Sequence, residues 1–242
     1  SMVGQPVEVS ALLFEAVRFS LEVAAISGGT FDPTIGAAQA RRGFNRNYAT
    51  GERVAAPAEA TSGSYRDLVL NGAQRTIELR KPLVIDLGAA VKGMAIDLAA
   101  KELAGLESFS IDAGGDLHVQ GRNAEDEPWR IGIEHPRHAG LIATLAIEKG
   151  AVCTSGDYER PVEGGQGEHH LLDPHSGRSP RDVISCTVLA PTAMAADALS
   201  TAAFVAGPEA GLRLLEAQGV GGLLVDSHLV THMTPGFERW LA

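Results

Sequence analysis

Apolar positions recur at helical spacing between residues 10 and 27. Leu13, Val17, Leu21 and Ala24 mark one face, and Ser10 stands where an N-cap belongs. Gly28-Gly29 ends that helix. Residues 36–64 are rich in Ala, Arg, Gly and Ser and weakly patterned, which predicts loop and short helix. A strand pair is expected near residues 68–70 and 76–79. The apolar run 82–87 reads as a strand entering a glycine turn at Gly88, with Val91, Ala95, Ala99, Leu103 and Leu106 marking the face of a helix behind it.

Strands are expected over residues 109–113 and 117–119, on either side of Gly114-Gly115. Trp129-Arg130-Ile131-Gly132-Ile133 alternates as a half-buried strand does, and so do residues 141–147. Residues 151–154 form another strand, ending at Ser155-Gly156. The stretch 159–180 is polar and turn-rich. A strand over 184–190 precedes helices over 193–205 and 208–218, and short strands over 223–226 and 230–232 close the chain. There is no internal repeat and no long linker. Hairpin-like strands mixed with helices predict an α+β fold of mixed or antiparallel sheets with packed helices, not a doubly wound parallel sheet. The 242 residues suit one large domain or two fused lobes, and the chain reads as a single domain over 1–242.

Composition narrows the function. Hydrophobic residues make up 45% and charged residues 21%, an ordinary globular balance. The net charge of -10 argues against nucleic acid or an anionic membrane as partner, because both need basic patches that release counterions. A polyanion here needs a local site that overcomes the global field: a helix N-terminus, a lysine, a metal. Cys153 and Cys186 each sit in an apolar strand-like run and read as buried small hydrophobes rather than a disulfide. No apolar run reaches the roughly 18 residues of a membrane span. Neither a signal peptide nor a lipid-anchor cysteine is visible at the start, and Ser1-Met2 has the look of a cloning scar, so the sequence assigns no compartment: cytoplasmic, or exported if an upstream segment was removed.

Several short stretches carry candidate chemistry. Asp86-Leu87-Gly88-Ala89-Ala90-Val91-Lys92-Gly93 places a glycine turn at a helix start, where free N–H groups favour an anion. Lys92 in the first turn is disfavoured by the helix dipole and is easier to explain beside a phosphate; the alternative is a surface lysine near a cap. Asp197 and Thr201 lie four apart on one face of an almost wholly apolar helix. Two oxygen ligands so placed suit a hard cation such as Mg2+; the alternative is an Asp compensating the dipole and a Thr bonding back to the helix. In the cluster His169, His170, Asp173, His175, a single histidine could act as general base, a zinc-type site lacks helical spacing, and an ordinary polar loop is the third reading. Gly114-Gly115-Asp116 reads as a tight turn between strands, and Ser155-Gly156-Asp157 resembles a backbone nest for an anion, a kind of triplet that is frequent. Thr30-Phe31-Asp32-Pro33 could stack Phe31 on a planar ligand and bond it through Asp32, or Phe31 could be core and Asp32 a turn former.

Taken in order, these stretches form a pattern. Gly29-Thr30-Phe31-Asp32-Pro33-Thr34, Asp86-Leu87-Gly88 with Lys92-Gly93, Asp112-Ala113-Gly114-Gly115-Asp116, Thr154-Ser155-Gly156-Asp157-Tyr158, His170-Leu171-Leu172-Asp173-Pro174 with Gly177, and Ala196-Asp197-Ala198-Leu199-Ser200-Thr201-Ala202 together resemble the ApbE family of FAD:protein FMN transferases over nearly the whole chain. The resemblance implies a T-fold-like architecture and a Mg2+ ion bridging the pyrophosphate of FAD. It implies metal ligands from Asp197, Thr201 and, through its backbone carbonyl, Ala89. It places Thr30, Phe31, Asp32, Asp86, Lys92, Gly114, Gly115, Asp116, Ser155 and Gly156 at the flavin nucleotide, and makes His170 the base and Asp197 the catalytic carboxylate. The implied partner is an acceptor flavoprotein with a Ser or Thr target. A binder of FAD without transfer, and an FAD pyrophosphatase giving FMN and AMP, are the competing readings. Members of that family usually carry a further N-terminal segment with a Met-Gly-Thr strand. Its absence here would leave a sheet edge that favours a homodimer.

Overall fold

The computed structural model describes residues 3–46, 50–53, 63–160, 162 and 167–242, so parts of the loops expected over 36–64 and 159–180 lie outside the described residues. The chain sorts into two compact units. One comprises Ser1–Gly88 and Arg160–Ser179, the other Ala89–Glu159 and Pro180–Ala242.

The first unit holds strands β1 (Val7–Glu8), β2 (Leu68–Asn71) and β3 (Thr76–Leu79) in an antiparallel sheet of order β1-β3-β2. Helix α1 (Ala11–Ile26) begins where expected, with the Ser10 hydroxyl accepting from the Leu13 N–H at 3.2 Å. Its Phe14 and Val17 pack with Leu68 and Ile77 into a small core, which Leu21 borders. Leu13 is a correction: at 41% exposure it lies off the buried face that Phe14 occupies. Helix α2 (Gly36–Arg41) is short. The run 82–87 is not a strand. It makes one parallel bridge, Ile35 with Val84, and is tied down by Gly36 N–H to the Val84 carbonyl at 3.1 Å and Asp86 N–H to the Pro33 carbonyl at 2.7 Å. Its partner is the turn after Pro33, too short to support a ladder.

The second unit is built on six antiparallel strands. These are β4 (Phe109–Ala113), β5 (Asp116–Gln120), β8 (Lys149–Gly156), β9 (Val183–Ala190), β10 (Gly221–Asp226) and β11 (Thr231–Met233), in order β11-β10-β9-β8-β5-β4. Strand register assigns the faces. Cys153 and Ser155 of β8 share a face with Cys186 and Val188 of β9, because opposed residues point the same way. Helix α4 (Ala193–Ala206) covers that face, with α5 (Pro208–Ala217) beside it. The other face presents Val119, Val152, Leu189, Leu223 and Val225 to a two-stranded ribbon of β6 (Trp129–Glu134) and β7 (Leu141–Ile147). The ribbon contributes Ile131, Ile133, Leu145 and Ile147 and turns Arg130, Gly132 and Glu134 to solvent, which is the alternation visible in the sequence. β9 is buried at every position, as a strand covered on both faces must be. Helices on one side of antiparallel strands meet the α+β expectation.

Helix α3 (Gly88–Glu102) forms, but not on the expected face. It buries Ala90, Gly93, Ile96 and Ala100, while Val91, Ala95, Ala99 and Leu106 are exposed. Small residues rather than large ones set this contact. A Cβ at Gly93 would lie 2.5 Å from main-chain atoms of Ala193 and Met194, so the helix approaches α4 as closely as backbone allows.

Leu145 is fully buried at the centre of the ribbon–sheet core. Leu145→Ala is expected to cost about 2–5 kcal/mol, read as a lower urea midpoint with unchanged slope.

Candidate active site

α4 in the second unit is buried nearly all round, as its apolar composition requires. Ala196, Ala198, Leu199, Ser200, Ala202, Ala203 and Phe204 are all covered. Met194, Ala195, Asp197, Thr201, Val205 and Ala206 are half-buried, and the less covered side of the helix carries its carboxylate and a hydroxyl. Residues three and four apart on a helix are neighbours, which brings Asp197 and Thr201 together. Below them the Ser155 hydroxyl is 2.8 Å from Ser200 Oγ and 3.1 Å from Thr201 Oγ1. Ser155 and Gly156 do not form the expected backbone nest. They lie in β8 opposite Cys186 and Ser185, and Asp157 N–H continues the pairing to the Ile184 carbonyl at 3.2 Å. Extended backbone points successive N–H groups apart, so what Ser155 offers here is its side-chain hydroxyl, bonded to Ser200 and Thr201.

Lys92 also has a partner that the sequence reading lacked. Its Nζ lies 2.8 Å from Asp116 Oδ2 and 3.4 Å from the Gly114 carbonyl. The hairpin makes this possible. Gly114 and Gly115 both have positive φ, 65° and 87°, the geometry of a two-residue turn whose twist matches its strands, and Ala113 faces Asp116 across it. Asp116 is buried at the first position of β5 and Lys92 reaches it from the first turn of α3. Partial burial opposes the lysine's charge, but the hydrogen bond and charge of Asp116, helped by Asp197, outweigh it and hold the ammonium above its ordinary pKa. A phosphate is therefore not needed to explain a cation at this helix start. Cys153 shares the neighbourhood: burial, then the charges of Asp116 and Asp197, push its thiol well up, so it is inert. Cys186 is likewise buried and free.

Ala89 stands in the first turn of α3, where helix geometry aims its carbonyl toward the N–H of residue 93. Among the described residues no three of His, Cys, Asp and Glu gather as metal ligands. A metal at Asp197 and the Thr201 hydroxyl would meet hard oxygen donors that fit Mg2+, and the Ala89 carbonyl could join them only while still accepting within its own helix.

Sequence reasoning missed Asp97. Its carboxylate accepts from the N–H groups of Ala193 at 2.7 Å and Met194 at 3.0 Å, the first residues of α4. Two signals were available: Asp97 follows Gly93 by one helical turn, and a helix start has four donors to satisfy, of which Thr192 takes only the Ala195 N–H.

The remaining sequence candidates belong to the first unit. Phe31 and Asp32 are both buried, at 5% and 6% exposure. Asp32 Oδ1 accepts from Thr34 N–H and Thr34 Oγ1, both at 2.8 Å, and Oδ2 accepts from Tyr65 N–H at 2.9 Å. The turn-forming alternative is the one this geometry matches. Thr30 Oγ1 donates to the Ser27 carbonyl at 3.3 Å. Asp86 Oδ1 accepts from Gly88 N–H at 2.8 Å and so shapes the turn before α3. His170 is half-buried. Its N–H donates to the Arg160 carbonyl at 3.1 Å, its carbonyl accepts from Gln39 Nε2 at 2.6 Å, and its ring meets Phe44 edge-on at 6.2 Å. Burial first, then the charge of Arg160, pushes the imidazole down to about 4. Asp173 instead organises its own loop, accepting from the N–H groups of His175 at 3.0 Å and Ser176 at 3.2 Å.

This fold and these motifs have known relatives. The family model described as the ApbE family matches residues 1–224. The FAD:protein FMN transferase of Rhodobacter capsulatus is 34% identical over 230 residues, covering 91% of this chain and 43% of that protein. Its namesake in Haemophilus influenzae is 29% identical over 255 residues, covering 99% of this chain and 74% of that protein. The crystal structure of the ApbE protein from Thermotoga maritima superposes with a TM-score of 0.87 at 31% identity, over 99% of this chain and 81% of that one. The flavin transferase ApbE from Vibrio cholerae gives 0.85 at 27% identity, over 99% and 80%. On a match that spans most of its length, the chain belongs to the ApbE family.

Proposed function

We propose that this chain transfers FMN from FAD to a Ser or Thr hydroxyl of an acceptor flavoprotein, with release of AMP and with Mg2+ held on α4. Family membership supports the transferase reading. The observation that carries the site is the α4 stripe, which presents Asp197 and Thr201 side by side on an otherwise buried helix, with Ser155 hydrogen-bonded to Thr201.

Charge supports the metal. Asp116 and Asp197 set two carboxylates against the ammonium of Lys92. Such a site repels a pyrophosphate unless a cation joins it, and an acidic chain offers no general field to help. Bound Mg2+ would neutralise charge developing on the pyrophosphate oxygens. Lys92, positioned by Asp116, would donate to the same oxygens through its remaining N–H groups. In the transfer, the acceptor hydroxyl oxygen forms a bond to the FMN-side phosphorus. The bond from that phosphorus to the bridging oxygen breaks, and AMP departs with the electron pair. His170 would take the hydroxyl proton. With its pKa down at about 4, the ring is neutral and able to accept throughout the neutral range.

The same burial makes a stability prediction. An unfolded histidine titrates near 6.5. The folded value is depressed, so the stabilising contribution is complete above about pH 6.5 and is lost as pH falls toward 4. Urea midpoints of the parent should fall across that window, and those of His170→Gln should fall less; equal slopes would show that His170 is not held neutral.

The function is tested with FAD, Mg2+ and an acceptor flavoprotein, scoring AMP and flavin fluorescence fixed to the acceptor. The parent should give both. His170→Ala should retain FAD and lose transfer by a factor of about 10² to 10⁴, the usual contribution of a general base. Asp197→Ala should lose metal and tight FAD binding together. Normal transfer by Asp197→Ala in EDTA defeats the metal assignment. AMP without fixed flavin identifies a pyrophosphatase, and bound flavin with neither product identifies a carrier.

A further inference from the structure

α3 and α4 supply everything proposed to hold the metal: the Ala89 carbonyl from one, Asp197 and Thr201 from the other. Ala89, Gly93 and Asp97 follow one another at intervals of four and so form a row along α3, and Ala193, Asp197 and Thr201 form a second row along α4. The two rows are fastened where they meet. Gly93 lies against the backbone of Ala193 and Met194 so closely that any side chain would clash at 2.5 Å. One turn further along, Asp97 grips the N–H groups of the same two residues, one with each oxygen, at 2.7 and 3.0 Å. These bonds join an ionised acceptor to unsatisfied helix donors, the strong class of hydrogen bond.

We propose that Gly93 and Asp97 act as a positioning clamp that sets the spacing of the metal ligands on α3 and α4, so that Asp97 tunes metal affinity without touching the metal. The inference rests on the metal reading above. Three observations favour it over a cap that merely stabilises α4. Thr192 already caps that helix from within its own chain segment, through the Ala195 N–H at 3.3 Å. The gripping carboxylate comes from the very helix that carries Ala89 and Lys92. And Ala193, which Asp97 holds, is one turn from Asp197 on the same row. His118 Nδ1 lies 3.9 Å from Asp97 Oδ1, within ion-pair distance but outside hydrogen-bond reach, so among the described residues the two main-chain donors are the hydrogen-bond partners of this side chain. Cys153 Sγ stands 3.6 Å from the Ala193 carbonyl, closing the other side of the contact.

The test is a Mn2+ titration followed by electron paramagnetic resonance, with no turnover needed, on the parent, Asp97→Asn, Asp97→Ala and Asp197→Ala. All are measured well below their melting temperatures. Asp97→Asn keeps the shape and one accepting oxygen, so it guards against a variant that fails to fold. Loss of an outer partner of a metal site typically costs about 10- to 100-fold in affinity. Both Asp97 variants should therefore bind Mn2+ at least about 10-fold more weakly, the Ala variant more so, while transfer recovers at saturating Mg2+. Mn2+ affinity within about 2-fold of the parent in Asp97→Asn, with Asp197→Ala still abolishing binding, overturns the clamp and leaves the metal reading intact. Unaltered Mn2+ binding in Asp197→Ala overturns the metal reading itself.

Discussion

A helix buried on nearly every side decides where polar chemistry in the second unit can be. α4 packs on the face of the sheet that Cys153, Ser155, Cys186 and Val188 share, and it does so with alanines, a leucine and a phenylalanine. Close packing of this kind leaves no room for a solvated carboxylate except along the stripe left half-covered. Asp197 and Thr201 occupy that stripe. Ser155 completes it from the strand below, which sits at the right height because β8 and β9 are paired without a bulge from Ala151 to Gly156. The proposed site would thus be a by-product of how tightly a small-residue helix can lie on a sheet.

Much of this was legible in the sequence, and the reason is period. Strands with one solvent-facing side, such as β6, alternate and announce themselves; α1 announces itself by its cap. The Asp197 and Thr201 pairing is legible because four-residue spacing on a helix has one meaning. What could not be read is contact between elements. Val91, Ala95 and Ala99 look like a face, yet α3 turns them outward, because the contact is chosen by Gly93, which has no hydrophobic signal at all. Lys92 looked orphaned because Asp116, 24 positions on, reaches it only through the hairpin at Gly114-Gly115. Ser155-Gly156-Asp157 looked like a nest because composition carries no record of whether a triplet is extended or curled. Asp97 went unnoticed for a related reason: a half-buried Asp on a helix is unremarkable until the donors it serves are known.

Asp32 and Asp86 show the converse. Both stand in motifs that mark the family, and both accept hydrogen bonds that shape local backbone, Asp32 from the N–H and hydroxyl of Thr34 and the distant Tyr65 N–H, and Asp86 from the Gly88 N–H. A carboxylate oxygen can accept more than one bond, so such residues shape a surface and still offer it a lone pair. For these two the structural role needs no ligand, and on the proposed reading it would preorganise them, since a group already held in place loses little freedom when a substrate reaches it.

On the proposed reading, charge balance gives the arrangement an order of events. With the carboxylates of Asp116 and Asp197 around the Lys92 ammonium, the site would favour a cation before an anion. A nucleotide diphosphate that arrives with or after a divalent ion meets a neutral or positive surface, and one that arrives alone meets a negative one. Lys92 cannot reverse this by itself, since Asp116 already claims it; its remaining donors become useful to a phosphate only once the excess negative charge has been offset. On that proposed reading, selection for a metal-bound nucleotide over the free one would need no dedicated gate. It follows from placing Asp116 and Asp197 around a single lysine in a chain whose overall charge is already negative.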